Sequence, residues 1–406
     1  MWLSSSCRYL SSLLFIVFIS LLLTACDDDS HQEIALNAEG FPDLSKVVAY
    51  SDTTPKQYLE CAKNYRNSCL VSQFPPIGLT LNTAVTLADI EQRVFVSHPW
   101  MAEHFLSALA LLPPEILPLF RSVGAIVIAD DIRPSFYSAN TATIYIDPRY
   151  LWRNEQEWLT IIAKQDFRDQ FQSNVQFLPV RQSVDSDGNY ATWVSNDYAE
   201  NNSMRTTEQL LPALFRLLVH ELTHVVDAIP PTSLTSLDPR RTIYQNISAM
   251  TPLNQTLYDR FPLQDDLLFD VAKVLYDGVT PSYEVSTLNA LQVGAHFEVE
   301  GASDLYGYSN RKEDMAMLFQ SYMMYEHFGL QDRFLFLSQS DGIAMGCGRY
   351  TVEWGQTGRM FYPLVYERMM LAAEVILQRD LPAISASELK SMQIPTGTSW
   401  CEIINE

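Results

Sequence analysis

The stretch His220-Glu221-Leu222-Thr223-His224 decides which fold and chemistry we expect, because it places two imidazoles and a carboxylate within five residues. The surrounding residues 210–228 are apolar with helical periodicity, which predicts an α-helix around the motif. Residues four apart lie on one face of a helix, with Cβ atoms about 5–6 Å apart. Both imidazoles can therefore reach one Zn²⁺ ion at about 2.0–2.1 Å, with Glu221 placed to accept a proton from a water that the metal activates.

The ends of this helix are also indicated by the sequence. Thr206 or Thr207 can serve as the N-cap, and Pro230-Pro231 ends the helix. Pro212 lacks a backbone N–H, so we expect the regular helix to begin near it. An amphipathic helix with two surface histidines is the alternative interpretation. The histidines lie among apolar neighbours, where an unpaired polar group is costly, and this favours the metal site.

A catalytic zinc site uses three protein ligands and keeps one position open, so a third ligand is expected outside the motif. Glu313 begins an amphipathic segment that is predicted to be helical over residues 311–328. The same residue fits position N3 of a capping box that starts at Asn310. Both roles stay open, and the ligand role is favoured because the site is otherwise incomplete.

Other polar residues are candidates for supporting roles. Asp227 and Asp314, each close in sequence to a candidate ligand, could hydrogen-bond a ligand imidazole and fix its tautomer. Each could equally be a helix-end or solvated carboxylate. Hydrolysis also needs a donor for the developing oxyanion. We prefer Tyr308 for this catalytic role, ahead of Tyr306 and His296.

The order of elements, with strands first, then the H-E-x-x-H helix and then a mostly helical remainder, resembles the zincin metallopeptidases over about residues 120–330. The resemblance implies an α+β fold in which a small mixed sheet packs on the motif helix. The sheet's edge strand would pair with an extended peptide or protein substrate. Residues 142–147 or 190–195 are the candidates for that strand, and residues 123–129 are predicted to be a buried strand.

The resemblance also bears on the third ligand. The Glu-Asp-x-Ala helix start at Glu313 resembles the third ligand of gluzincin-type members of the family. Almost ninety residues separate it from His224, many more than in those members, so an insertion is expected between the two helices. Asp304 is the alternative ligand, because residues 301–307 resemble an aspzincin stretch that here lacks a Thr and is one residue short.

The same zinc chemistry would serve an amidase that acts on peptidoglycan, which is the first alternative to a peptidase. The second alternative is a non-catalytic lipoprotein scaffold whose zinc helix is vestigial. The intact Glu221 argues against the second alternative, because this residue has no role in a structural zinc site.

The N-terminus predicts export. Residues 13–25 are an apolar run, and Arg8 is the only charge before it. The run is shorter than the roughly 20 residues of a membrane-spanning helix and has the size of a signal-peptide core. Its end, Leu23-Thr24-Ala25-Cys26, resembles a bacterial lipobox. This resemblance implies removal of residues 1–25, lipidation of Cys26 and a membrane-anchored protein that faces the periplasm; an uncleaved anchor or an ordinary secretory signal is the alternative.

The composition is that of a globular protein: of the 406 residues, 47% are hydrophobic and 18% are charged. The 48 acidic and 27 basic residues give a net charge of −21, which argues against a nucleic-acid partner. After the signal peptide we expect a polar tether at 26–55 and a metallopeptidase domain at 56–406. The domain is predicted to comprise a helical part at 56–120, a catalytic core at 121–330 and a second helical part at 331–406.

Four cysteines remain after the signal peptide and Cys26: Cys61, Cys69, Cys347 and Cys401. Three pairings are possible. The local choice is Cys61–Cys69, which leaves Cys347–Cys401 to tie the C-terminal tail to the body. Such bridges are expected in an oxidising compartment, whereas a cysteine zinc site is disfavoured because no C-x-x-C occurs.

Overall fold

The computed structural model describes residues 42–166, 171, 174–191, 204–339, 346–385, 388 and 390–405. The predicted signal peptide and Cys26 lie outside this part of the chain. The described residues form a mixed α+β structure with two small sheets, as the sequence predicts for the fold class. The strands are β1 (Val48–Ala49), β2 (Val94–Val96), β3 (Ala125–Ile128), β4 (Phe136–Ser138), β5 (Thr143–Ile146), β6 (Leu178–Val184), β7 (Gln331–Gln339), β8 (Tyr350–Thr357) and β9 (Met392–Gln393).

The α-helices are α1 (Lys56–Lys63), α2 (Leu87–Glu91), α3 (Pro99–Leu109), α4 (Glu155–Trp158), α5 (Thr207–Ala228), α6 (Ile243–Ile247), α7 (Asn254–Arg260), α8 (Asp266–Asp277), α9 (Tyr283–Thr287), α10 (Ala290–Val299), α11 (Arg311–Phe328), α12 (Pro363–Leu377) and α13 (Trp400–Asn405). Short 3₁₀ segments connect them, and one of these, Leu305–Tyr308, lies directly before α11.

The first sheet has the strand order β1-β2-β3-β5-β4. Strands β2, β3 and β5 are parallel, while β1 and β4 pair antiparallel at the two edges. β3 and β5 are buried along their whole length, as expected for parallel strands that are covered on both faces. The two strands predicted at 123–129 and 142–147 are thus confirmed.

One of the two edge-strand candidates, 142–147, is wrong. Residues 142–147 contain β5, which lies between β3 and β4, so the edge on this side is β4. β4 has only three residues and gives too short a pattern to be recognised in the sequence. The other candidate, 190–195, contributes an isolated bridge between Tyr190 and Val184, and residues 192–195 lie outside the described part of the chain.

The motif helix is α5. The side chain of Thr206 accepts a hydrogen bond from Gln209 N, and the side-chain oxygen of Gln209 accepts one from Thr206 N, which makes a capping box. This cap starts the helix at Thr207, so Pro212 lies inside it rather than at its beginning. The helix packs against β4 and β5 on one side and against α11 on the other.

The second sheet is antiparallel, with the order β6-β7-β8-β9. It corrects the prediction that residues 331–406 are helical, because β7 and β8 both lie in this range. The four apolar residues 334–337 are all buried in β7. A run of this length fits a buried helix as well as a buried strand, so periodicity alone does not distinguish them. Among the described residues of this range, Pro363–Leu377 and Trp400–Asn405 are α-helical.

The folded body begins earlier than predicted. β1 lies within the range 26–55 that the sequence assigned to a tether, and it pairs with β2 through Val48 and Val96. Leu44 and Val47 are buried in the same region. The remainder of the tether, residues 26–41, lies outside the described part.

Disulfides join Cys61 to Cys69 and Cys347 to Cys401, which confirms the local pairing and the one that follows from it. The second bridge fixes α13 to the segment before β8. None of the helices that the structure describes has the length and apolar character needed to span a membrane.

Candidate metal centre

Two helices bring three potential metal ligands together. His220 and His224 lie one turn apart on α5, and Glu313 lies in the first turn of α11. The Nε2 atoms of the two histidines are 3.2 Å apart. Glu313 Oε2 is 3.1 Å from His220 Nε2, and Glu313 Oε1 is 3.5 Å from His224 Nε2.

These distances fit a metal ion that binds all three side chains. In a tetrahedral zinc site with bonds of about 2.0–2.1 Å, neighbouring ligand atoms are about 3.3–3.4 Å apart. The three measured separations lie on both sides of this value. The nitrogen and oxygen donors are also of the kind that a catalytic zinc ion uses. His220, His224 and Glu313 could therefore hold a metal ion.

Asn310 caps α11, so the carboxylate of Glu313 is not needed for the cap and can serve as a metal ligand. The side chain of Asn310 accepts hydrogen bonds from Lys312 N and Glu313 N, so it caps the helix by itself. The carboxylate of Glu313 is directed towards the two imidazoles. Of the two roles that the sequence left open for Glu313, this geometry agrees with that of a ligand.

The ligands strongly affect each other's charge. Burial by itself would raise the pKa of Glu313, but the two imidazoles hold it well below the usual range. Burial lowers the pKa of His220. Burial would also lower the pKa of His224. Interactions with Glu313, Glu221 and Asp227 outweigh the effect of burial, so the pKa of His224 is raised. The cluster therefore keeps Glu313 ionised, and its negative charge favours a bound cation.

Glu221 lies on α5 between the two histidines and is 5% exposed. After Glu313, it contributes to the raised pKa of His224. A carboxylate on the motif helix between the two histidines is a candidate general base.

Aromatic rings lie beside the two imidazoles. The Tyr137 ring of β4 is 6.2 Å from the His224 ring with an interplanar angle of 21°. The Tyr306 ring is 6.4 Å from the His220 ring at an angle of 19°. Tyr137 was missed because its three-residue strand carries no recognisable pattern, and only this contact across the fold reveals it.

Tyr308, the preferred oxyanion donor, is placed elsewhere. It is fully buried, its hydroxyl donates to Glu300 at 3.1 Å, and its ring packs edge-on against Phe269. A fully buried hydroxyl that donates to Glu300 is not placed to donate to a substrate at the metal ligands. Tyr306, two residues earlier, is the tyrosine of this segment that lies beside a ligand.

The two supporting carboxylates also differ from prediction. Both oxygens of Asp227 accept hydrogen bonds from Asn254, one from its backbone and one from its side chain, each at 2.6 Å. Asp227 therefore acts on His224 through its charge. Asp314 forms a buried ion pair with Arg368, at 3.0 and 2.5 Å. Its role is to fix α11 against α12.

Asp304, the alternative third ligand, is occupied by other groups. One of its oxygens caps the 3₁₀ segment by accepting from Tyr306 N at 2.7 Å, and the other is 3.0 Å from Arg181 Nη1. The geometry thus favours Glu313 over Asp304 as the third ligand.

The chain matches no family model, no curated protein and no solved structure. The interpretation of this site therefore depends on its own geometry and chemistry.

The choice of third ligand can be tested by metal content. We expect Glu313→Gln to lose most of its metal after dialysis, because an amide is a much poorer ligand and only two imidazoles remain. Asp304→Asn is the matched control and should keep metal at the wild-type level. Elemental analysis of the purified proteins gives the answer, and the opposite pattern would identify Asp304 as the ligand.

The Asp314–Arg368 pair can be tested by stability. Both side chains are 1% exposed, so Asp314→Asn leaves a buried cation without its counterion, at a cost of roughly 3–5 kcal/mol. The control is Asp270→Asn, which makes the same change in an exposed pair with Lys273 and should cost less than about 1 kcal/mol. Urea unfolding measures both, and equal midpoints for the two variants would contradict a structural role for the buried pair.

Proposed function

We propose that this protein is a zinc-dependent metallopeptidase with a zincin-like fold. The observation that carries the proposal is the convergence of His220, His224 and Glu313 at separations that suit one tetrahedral ion. Glu221, beside these ligands on the same helix, supplies the carboxylate that hydrolysis needs.

The chain's own residues have separate tasks in this reaction. His220, His224 and Glu313 would hold the zinc ion, which when bound lowers the pKa of water and polarises a carbonyl. Glu221 takes the proton from the attacking water and passes it to the leaving amine. The burial of Glu221 and Glu313 excludes bulk water and strengthens these electrostatic effects.

The first sheet supports the zincin-like interpretation. It is small and mixed, it packs on α5, and its antiparallel edge strand β4 lies on the side of His224. An extended peptide that pairs with β4 would pass close to the metal ligands. We therefore propose peptides or proteins as the substrates.

We further propose that the protein is anchored by lipid at Cys26 and acts in the bacterial cell envelope. The two disulfides support an oxidising compartment.

The anchor is tested by Cys26→Ser. This variant lacks the thiol that would carry lipid, so we expect it to take up no labelled palmitate, whereas the wild type is labelled. Autoradiography of the immunoprecipitated proteins measures the change. A wild type without label, or equal labelling of Cys26→Ser, would refute the lipid anchor.

The catalytic role of Glu221 is tested by Glu221→Gln. We expect the variant to keep its zinc and to lose hydrolysis by about 10²–10⁴-fold, because a general base is removed while the ligands remain. Casein and purified peptidoglycan should be assayed together with the zinc content. Unchanged hydrolysis in the variant would exclude Glu221 as the base, and cleavage of peptidoglycan alone would favour an amidase.

A further inference from the structure

A cationic side chain lies next to the metal ligands. Arg181 belongs to β6, an outer strand of the second sheet. Its Nη1 is 3.4 Å from Met317 Sδ. Met317 is four residues after Glu313 on α11, so it lies on the same face, about 6 Å further along the helix.

A second contact places Arg181 on the same side of the site. Its Nη1 is 3.0 Å from Asp304 Oδ2, and Asp304 holds the turn whose Tyr306 ring lies beside His220. Arg181 therefore contacts a residue about one helical turn from Glu313 and the aspartate that caps the turn beside His220.

The guanidinium of Arg181 has N–H donors that its partners among the described residues do not use. It carries five N–H groups, and within the described part of the chain only Nη1 forms a hydrogen bond or ion pair. The side chain is 23% exposed, whereas its partner Asp304 is 7% exposed. Asp304 thus holds Arg181 in place while Nε and Nη2 remain available. Two parallel N–H groups of this kind match the two oxygens of a carboxylate.

We propose that Arg181 binds a carboxylate of the substrate within about two residues of the scissile bond. The rise of about 6 Å from Glu313 to Met317 is shorter than two extended residues, which span about 6.6 Å. This subsite deepens the proposed peptidase function and rests on it. The carboxylate is either the C-terminal group of the peptide or the side chain of an Asp or Glu next to the cleaved bond.

Binding tests the subsite without turnover. The full chain carrying Glu221→Gln is titrated calorimetrically with four short peptides of one parent sequence. They differ in a free or amidated C-terminus and in a Glu or Gln next to the expected cleavage site. We expect a loss of carboxylate to weaken binding about 30-fold or more. The peptide pair that shows the loss identifies the source of the carboxylate.

Substitutions then assign the effect to Arg181. Arg181→Met should abolish the preference, and Arg181→Lys should keep only part of it, because lysine cannot bind in a bidentate manner. Arg133→Met is the matched control. Arg133 also pairs with a buried aspartate, Asp147, and is 29% exposed, so its replacement should leave the preference intact. With wild-type Glu221, Arg181→Met should raise KM for carboxylate-bearing peptides and leave kcat unchanged.

Two results would overturn the proposal. The first is equal binding of all four peptides to the chain that retains Arg181, a result that does not depend on the folding of any Arg181 variant. The second is an equal fall in kcat for every peptide in Arg181→Met, which would place Arg181 in the reaction itself. If the peptides bind as expected but the wild type cleaves none of them, the peptidase proposal fails while the subsite stands.

Discussion

The arrangement of the site depends on two adjacent buried carboxylates in the first turn of α11. Successive residues of a helix point about 100° apart, so Glu313 and Asp314 face different neighbours. Asp314 is bound by Arg368 of α12, and Glu313 faces the imidazoles of α5. A buried carboxylate without a partner is costly, so rotation of α11 about its axis would leave both groups uncompensated. The ion pair on one side of α11 thus determines the direction of the ligand on the other side.

The long segment between the motif and Glu313 also shapes the site. It forms the 3₁₀ turn that carries Asp304 and Tyr306, and α10, which packs against the second sheet. The first sheet reaches the ligands from the His224 side through Tyr137. The second sheet reaches them from the His220 side through Arg181 and its partner Asp304. Each sheet thus contributes a side chain to the surroundings of the ligands, Tyr137 from the first and Arg181 from the second.

The sequence revealed those parts of the molecule that follow from local spacing. The helix of His220 and His224 and the buried strands β3 and β5 each show their pattern within a few residues. Glu313 could be proposed because two imidazoles leave a catalytic site incomplete. The second sheet could not be recognised, because a short apolar run is also compatible with a helix. Tyr306 and Tyr308 differ by two positions, and only the conformation of one turn decides which of them faces the ligands.

The charges of the site explain why it suits a divalent cation. Glu313 and Glu221 are both buried, and together they place up to two negative charges beside two imidazoles. Such charges are costly unless they are paired. A dication would balance them, while the neighbouring Arg181 and Asp304 balance each other. With the cation bound, the centre would no longer repel an anionic group, so a carboxylate could approach the unused donors of Arg181. Metal binding and recognition of an anionic substrate are therefore compatible in this protein, although the chain as a whole is strongly acidic.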